Sequence, residues 1–233
     1  MGGINSMKTL IIGYGEVGKA LFSILSEHYA VDFLDYHQSK LILSREFEPD
    51  IIHICFPYSD KFIQYAKEYQ EKYKPKFTVI HSTTPVGTSA KLSAIHSPIR
   101  GIHPNLEEGI KIFPKFIGGK QGSDVADYFR KCGIRIVLFD KSETTEAMKL
   151  WDTEYYKRCI EFAKEVKQYC DEHNLNFHEV YTIPNQTYGE AYTKLGYPEF
   201  VRPVLQPIMT PIGGHCVEPN HKILYGEETK DNS

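Results

Sequence analysis

One six-residue stretch, Gly13-Tyr14-Gly15-Glu16-Val17-Gly18, constrains the fold of this chain more than any other. Before it runs Lys8-Thr9-Leu10-Ile11-Ile12, apolar and rich in β-branched residues, and after it Lys19-Ala20-Leu21-Phe22-Ser23-Ile24-Leu25, apolar at helical spacing. The glycines therefore fall where a strand turns into a helix, the context that separates a dinucleotide fingerprint from a chance G-x-G-x-x-G. Gly13 permits the tight turn, Gly15 lets the backbone approach a pyrophosphate, and Gly18 lets helix and strand pack closely. The new helix presents free N–H groups and the positive end of its dipole to phosphate. A second strand, Val31-Asp32-Phe33-Leu34-Asp35, ends in an acid about 20 residues after the glycines, where a ribose 2′-hydroxyl finds its acceptor. Asp35 would repel a 2′-phosphate, and Tyr36-His37-Gln38 holds no Arg to bind one, so the stretch favours NAD over NADP. The competing reading is a glycine turn that binds nothing. Strand, helix and acid together weigh against it.

The following sequence continues the alternation. Leu41-Ile42-Leu43 is apolar, and Asp50 to Pro57 reads as a buried parallel strand ending at a proline. Ser59 is a candidate cap for a helix through about Tyr73, with Phe62, Ile63, Ala66 and Tyr69 on one face and Pro75 as its stop. Phe77-Thr78-Val79-Ile80 is a fourth strand, running into His81-Ser82-Thr83-Thr84-Pro85-Val86-Gly87. Loops at the carboxyl ends of parallel strands carry the ligands of such sheets. Phe56-Pro57 and Ser82-Thr83-Thr84 are therefore expected to line the same crevice as the glycine loop. His53 and His81 read more readily as core or rim residues than as catalysts.

Ser97 to Gly109 is punctuated by prolines and glycines and predicts irregular backbone. Lys115 to Gly119 reads as a strand, Ser123 or Asp124 as the cap of a helix ending near Gly133, and Ile134 to Phe139 as a further strand. The expected class is α/β: a Rossmann-type doubly wound parallel sheet, then a long helix and a small mixed C-terminal segment. The expected domains are 1–140 for the sheet, 141–226 for the helix and its appendage, and 227–233 as a charged, disordered tail. From Ser142 to about Asn174 there is no Gly or Pro, and Ala147, Leu150, Trp151, Tyr155, Ile160, Ala163 and Val166 follow helical spacing. This predicts one helix of about 30 residues, about 45 Å long. Such a helix either forms a homodimer through residues 143–174 or packs across its own domain.

Composition narrows the function classes. The 233 residues carry a net charge of −3 without a basic block, so nucleic acid is not an implied partner. No apolar run is long enough to span a membrane. The first six residues show no secretory pattern, and Met7 is an alternative start. Five cysteines, an odd number without a C-x-x-C, fit a reducing, cytoplasmic setting. Cys216, in Gly213-Gly214-His215-Cys216, is the one flanked by glycines, where a ligand can approach a thiol. Lys149 could place positive charge at a developing oxyanion. A metal reading of His215 and Cys216 with His221 matches no standard spacing.

The glycine loop, Ile54-Cys55-Phe56-Pro57, Ser82 to Thr88, Glu146-Ala147-Met148-Lys149-Leu150 and Gly213 to Cys216, in this order, together resemble the UDP-glucose/GDP-mannose dehydrogenase family. The resemblance covers that family's N-terminal and central parts; its further nucleotide-sugar domain is expected to be absent. It implies NAD-dependent oxidation of an alcohol on a nucleotide sugar or a smaller molecule, with Cys216 as the nucleophile that traps an aldehyde as a thiohemiacetal and then a thioester. It further implies Lys149 beside the oxyanion, Thr84 near the reacting water and Glu108 as an acid. Three positions depart from the family's pattern: Asn220 replaces an Asp, Thr153 an Asn, and Ile99 the Glu of a Pro-Glu pair. A non-catalytic NAD-binding subunit or sensor is the alternative. A cysteine hydrolase using His215 and Cys216 is weaker, because adjacent side chains diverge and the dinucleotide loop would go unexplained.

Overall fold

The computed structural model describes residues 7–35, 47–101, 105–207 and 217–226. The expectations for the first six residues, Tyr36 to Leu43, residues 102–104 of the irregular stretch, Gly213 to Cys216 and the tail lie outside them. By their internal contacts the described residues up to Lys149 form one compact unit, and those from Leu150 onward a second.

The first unit is built on a seven-stranded sheet. Its strands are β1 (Lys8–Ile12), β2 (Ala30–Leu34), β3 (Ile51–Ile54), β4 (Phe77–Ile80), β5 (Ile95–His96), β6 (Lys115–Gly118) and β7 (Ile136–Phe139), in the order β2-β1-β3-β4-β5-β6-β7. The strands from β2 to β5 pair in parallel, as expected of a doubly wound sheet. The sheet is not parallel throughout. β6 meets β5 in one antiparallel pair, His96 with Gly118, and β7 follows β6 in parallel, so the last two strands run the other way.

Every residue of β3 and β4 is buried, because both faces of the sheet are covered. On one face α1 (Glu16–Ser26), α4 (Leu106–Ile112) and α5 (Gly122–Lys131) contribute Leu21, Ile24, Leu106, Ile110, Val125 and Phe129 to a core with Ile11, Ile51, Val79 and Ile117. On the other, α2 (Phe62–Tyr73) sets Phe62 and Ala66 against Ile54 and Ile80. The one-turn α3 (Thr88–Lys91) follows β4.

Three local expectations change. Ser59, Ser123 and Asp124 do not cap: α2 and α5 have Lys61 and Gln121 at their N-caps and no side-chain cap bond. The stretch expected to be irregular, Ser97 to Gly109, begins directly after β5 and runs into α4. Gly109 reads as a breaker but lies within α4, where a side chain would meet the Gly101 Cα at 2.7 Å. Glu107 and Glu108 in the first turn complement the dipole.

The long helix is present as α6 (Ser142–Glu172). The second unit contains the part of α6 from Leu150 onward, α7 (Ile183–Leu195) and α8 (Val217–Tyr225). Part of the segment expected to be mixed is helical: a π-helical turn at His178–Thr182 leads into α7, and residues 201–207 carry no regular structure. Pro184 hid this continuity, yet it stands in the first turn of α7, the part of a helix that tolerates proline best. Leu150, Glu154, Lys157, Ile160 and Ala163 form the buried stripe of this part of α6, while Trp151, Tyr155 and Phe162 are 55%, 60% and 57% exposed.

Candidate functional site

Strand order reverses between β1 and β3, and such reversals open a crevice at the carboxyl ends of the strands. Ile12 pairs with Leu34 on one side and Ile54 on the other, and Ile54 with Ile80. Gly13, Asp35, Cys55 and His81 therefore leave the sheet along one edge. Backbone bonds Gly13 N to Leu34 O, Cys55 N to Ile12 O and His81 N to Ile54 O, at 2.8, 2.8 and 2.9 Å, extend the ladder into the loops.

The three glycines differ in what surrounds them. At Gly13 φ is +97°, and a Cβ would sit 2.7 Å from the Phe56 nitrogen. At Gly18 a Cβ would sit 2.0 Å from the Gly13 carbonyl oxygen. These two are glycines because the chain itself leaves no room. Gly15 is the N-cap of α1 in extended conformation, φ −74° and ψ −162°, which any residue adopts, and no atom lies within 4 Å of its virtual Cβ. Nothing within the chain requires glycine there. A phosphate approaching the uncapped first turn of α1 does require it, so these residues fit a dinucleotide. Tyr14 holds the loop from the side: its ring stacks on Phe33 at 3.7 Å between centroids and meets Phe22 edge-on at 5.6 Å. Glu16 and Val17 open α1, and Asp35, directly after β2, stands beside the loop where the ribose acceptor is expected.

The facing wall is the pair of loops after β3 and β4. Ser82 Oγ donates to the Phe56 carbonyl at 2.6 Å, tying them together. Pro57 is exposed and Thr83 half-buried. Thr84 is fully buried, and its hydroxyl donates to Glu146 at 3.3 Å. That bond ties Thr84 to the framework of the loop.

Beneath this edge runs a buried polar chain. In one consistent assignment Thr9 donates to the Tyr128 hydroxyl (2.8 Å), Tyr128 to His53 Nε2 (3.2 Å), His53 Nδ1 to His81 Nε2 (2.8 Å) and His81 Nδ1 to the Ser97 carbonyl (2.7 Å). Each imidazole is satisfied as a neutral ring. Burial, then the nearby Lys115, pushes His53 down to about 3 and His81 well below its ordinary value. Lys115 lies over the Phe129 ring at 5.1 Å, with its Nζ 3.4 Å from both His81 Nδ1 and the Ser97 carbonyl, and burial pushes it down to about 7. These groups lie in the core, as core histidines do.

The expected catalytic residues are not gathered by the described structure. Lys149 is half-buried, with Nζ donating to the Ile99 carbonyl at 3.1 Å. Glu108 is on the exposed side of α4. Cys216 and His215 lie outside the described residues. His221 bonds Glu154 at 2.8 Å, which gives it a carboxylate partner within α6. Two of the three departures meet: Asn220 Nδ2, in α8, donates to Thr153 Oγ1 at 3.1 Å.

Sequence reasoning missed Glu146 as a site residue. Its carboxylate is completely buried and accepts from Gly87 N (2.6 Å), Ser89 N (2.8 Å) and Thr84. A helix-forming acid near the start of a long helix carries no local signal of such a role. The Tyr14–Phe33 stack was equally hidden, although both rings flank the glycine loop in the sequence.

No family model matches the sequence, and no curated protein matches it. Solved structures do match in fold. UDP-D-ManNAc dehydrogenase from Pyrococcus horikoshii superposes with a TM-score of 0.74 at 17% identity, covering 97% of this chain and 65% of that one. NDP-N-acetyl-D-galactosaminuronic acid dehydrogenase from Methanosarcina mazei gives 0.71 at 15%, covering 95% and 60%. The 3-hydroxyisobutyrate dehydrogenase of Mycobacterium tuberculosis, solved with L-serine, gives 0.64 at 11%, covering 95% and 79%. The chain thus spans less than two thirds of the first two. What it shares with all three, at this identity, is the fold.

Proposed function

We propose that the chain is an NAD-dependent oxidoreductase related to the nucleotide-sugar dehydrogenases, acting on the CH–OH group of a nucleotide sugar or a smaller alcohol. The observation that carries the cofactor half is the open space at Gly15 between two glycines that the chain's own packing explains. Gly13 to Gly18 cradle the pyrophosphate, with Tyr14 braced by Phe33, and Asp35 accepts from the adenosine ribose. Phe56, Pro57, Ser82 and Thr83 line the nicotinamide side. Held there, NAD would supply the hydride acceptor for oxidation of the alcohol carbon. Lys149 supplies positive charge for the developing oxyanion, and Cys216 traps the resulting aldehyde as a thiohemiacetal. Glu108 takes the part of the acid only if substrate reaches the exposed side of α4. The fold likeness and the five motif segments support this reading. Exposed aromatics on α6 support a homodimer through residues 143–174. No helix among the described residues is long and apolar enough to cross a membrane.

A second reading, a non-catalytic NAD-binding subunit, is favoured by one observation. Asn220, where the family's pattern has an acid, is buried with its amide on Thr153 and cannot act as a base. Calorimetric titration separates the components. NAD binding well above NADP is expected, and absence of NAD binding overturns both readings. NADH formation with an alcohol, lost in Cys216→Ser and Lys149→Ala, selects the enzyme; binding without turnover selects the subunit.

A further inference from the structure

The loop after β4 is held by one side chain from outside it. Three donors converge on Glu146: the amides of Gly87 and Ser89 and the hydroxyl of Thr84. All three are donors, so the site calls for a group that only accepts, and a carboxylate with two oxygens is that group. The loop has two further ties, Ser82 Oγ to the Phe56 carbonyl at 2.6 Å and the Ser82 carbonyl to His96 Nε2 at 3.2 Å. His96 in turn bonds Thr145 Oγ1 at 2.9 Å, so neighbouring residues 145 and 146 of α6 both serve this loop. One turn further along the helix, Lys149 reaches the Ile99 carbonyl. Between the ties, Thr83 and Pro85 stay half-buried at the carboxyl end of β4. Strand order sets this loop on the side of the crevice opposite Asp35, the side that takes the nicotinamide end of a dinucleotide.

We propose that Glu146 is a positioning residue for the nicotinamide half of the crevice, its carboxylate fixing the loop at 82–89 in the shape that half requires. The proposal rests on the dinucleotide reading. Its competitor is a purely structural cap for α3, and the two differ in what they do to ligands. Glycine loop, α1 and Asp35 contact only the ADP-ribose part, and none of them touches Glu146 among the contacts described. Disturbing Glu146 should therefore weaken NAD and spare ADP-ribose.

The experiment is paired calorimetric titration of NAD and ADP-ribose on the full chain, wild type and Glu146→Gln, below the unfolding temperature of both. The amide that this substitution introduces turns a donor toward a donor. The expected result is a Kd for NAD raised at least tenfold, a Kd for ADP-ribose within twofold of wild type, and loss of the enhanced fluorescence of bound NADH. If Glu146→Gln does not fold, Glu146→Asp, which keeps the charge and shortens the reach, is read on the same ratio. Equal weakening of both ligands, or of neither, overturns the proposal while leaving the dinucleotide reading intact. A wild-type chain that binds neither ligand overturns the dinucleotide reading, and the proposal with it.

Discussion

Two turns in the first unit join a strand to a helix through glycines: Gly13 to Gly18 between β1 and α1, and Gly118 to Gly122 between β6 and α5. In the second turn the chain itself explains the glycines. A Cβ at Gly118 would lie 2.6 Å from the Lys141 carbonyl and from Thr145 Oγ1, and one at Gly122 would lie 3.1 Å from Ile117 Cγ2. The first turn has two glycines of this kind and a third, Gly15, that meets nothing. A glycine explained by its neighbours reports packing. One that its neighbours leave unexplained reports a molecule expected from outside.

Paired substitutions break this comparison most forcefully. Gly118→Val pushes a branched side chain into a backbone carbonyl and the start of α6. It is expected to cost about 3 kcal/mol or more, seen as a melting temperature lowered by many degrees or as failure to fold. The Cβ of Gly15→Val meets no protein atom within 4 Å, so the melting temperature should fall far less than in Gly118→Val, while NAD affinity falls at least about 100-fold, equivalent to roughly 2.7 kcal/mol. A Gly15→Val protein that melts as early as Gly118→Val would erase the distinction between the turns.

Titration adds a second comparison, since the buried lysine and the buried histidines differ in pH window. Lys115, at the start of β6, is held near 7 in the fold against 10.5 as its ordinary value. The unfolded chain therefore binds the extra proton between about 7 and 10.5, and stability rises with pH across that window. Lys115→Met should remove that slope and stabilise the protein at pH 7 by about 4 kcal/mol, with the advantage vanishing above about pH 10.5. His53 and His96 are held near 3 against 6.5, so their contribution is present above 6.5 and lost as pH falls toward 3. Denaturant melts from pH 3 to 11 check both. A flat profile between 7 and 10.5 would mean that Lys115 reaches water.

The same contrast explains how much was legible. The strand–glycine–helix turn, β3, β4, β6, β7 and the long helix are written in local patterns, because each has its period or its stop within a few residues. β5 and α4 were not, since they exist through long-range contacts: β5 pairs with Gly118, and α4 tolerates Gly109 only because Gly101 lies against it. The glycine loop could be read from its strand–turn–helix context, although packing accounts for Gly13 and Gly18 and leaves only Gly15 open. Glu146 and the Tyr14–Phe33 stack could not, because their partners are fixed by packing that no spacing rule encodes.

A tenfold effect tests the first turn from its other side. Asp35 follows β2, and in the proposed reading it discriminates between the two dinucleotides. Asp35→Ser removes the charge that repels a 2′-phosphate and keeps a hydroxyl for the ribose. The NAD-to-NADP affinity ratio should fall about tenfold, or about 1.4 kcal/mol. An unchanged ratio would place the ribose elsewhere and detach Asp35 from the glycine loop.

The smallest effect concerns residues that, like Gly118, are explained from within. Asn220 and Thr153 each depart from the pattern of the family the chain resembles, and their side chains bond one another in the second unit. Two departures in contact amount to one replacement of a pair. Asn220→Ala should cost about 1 kcal/mol, the net worth of a buried neutral hydrogen bond. Adding Thr153→Ala should then cost less than it does alone, with a coupling of about 0.5 kcal/mol or more in a double-mutant cycle. Strict additivity would make them two independent losses of a catalytic pattern, which is what a chain retired from turnover would show. Coupling instead marks a site rebuilt around a neutral pair, and directs the search toward substrates whose oxidation needs no acid at that position.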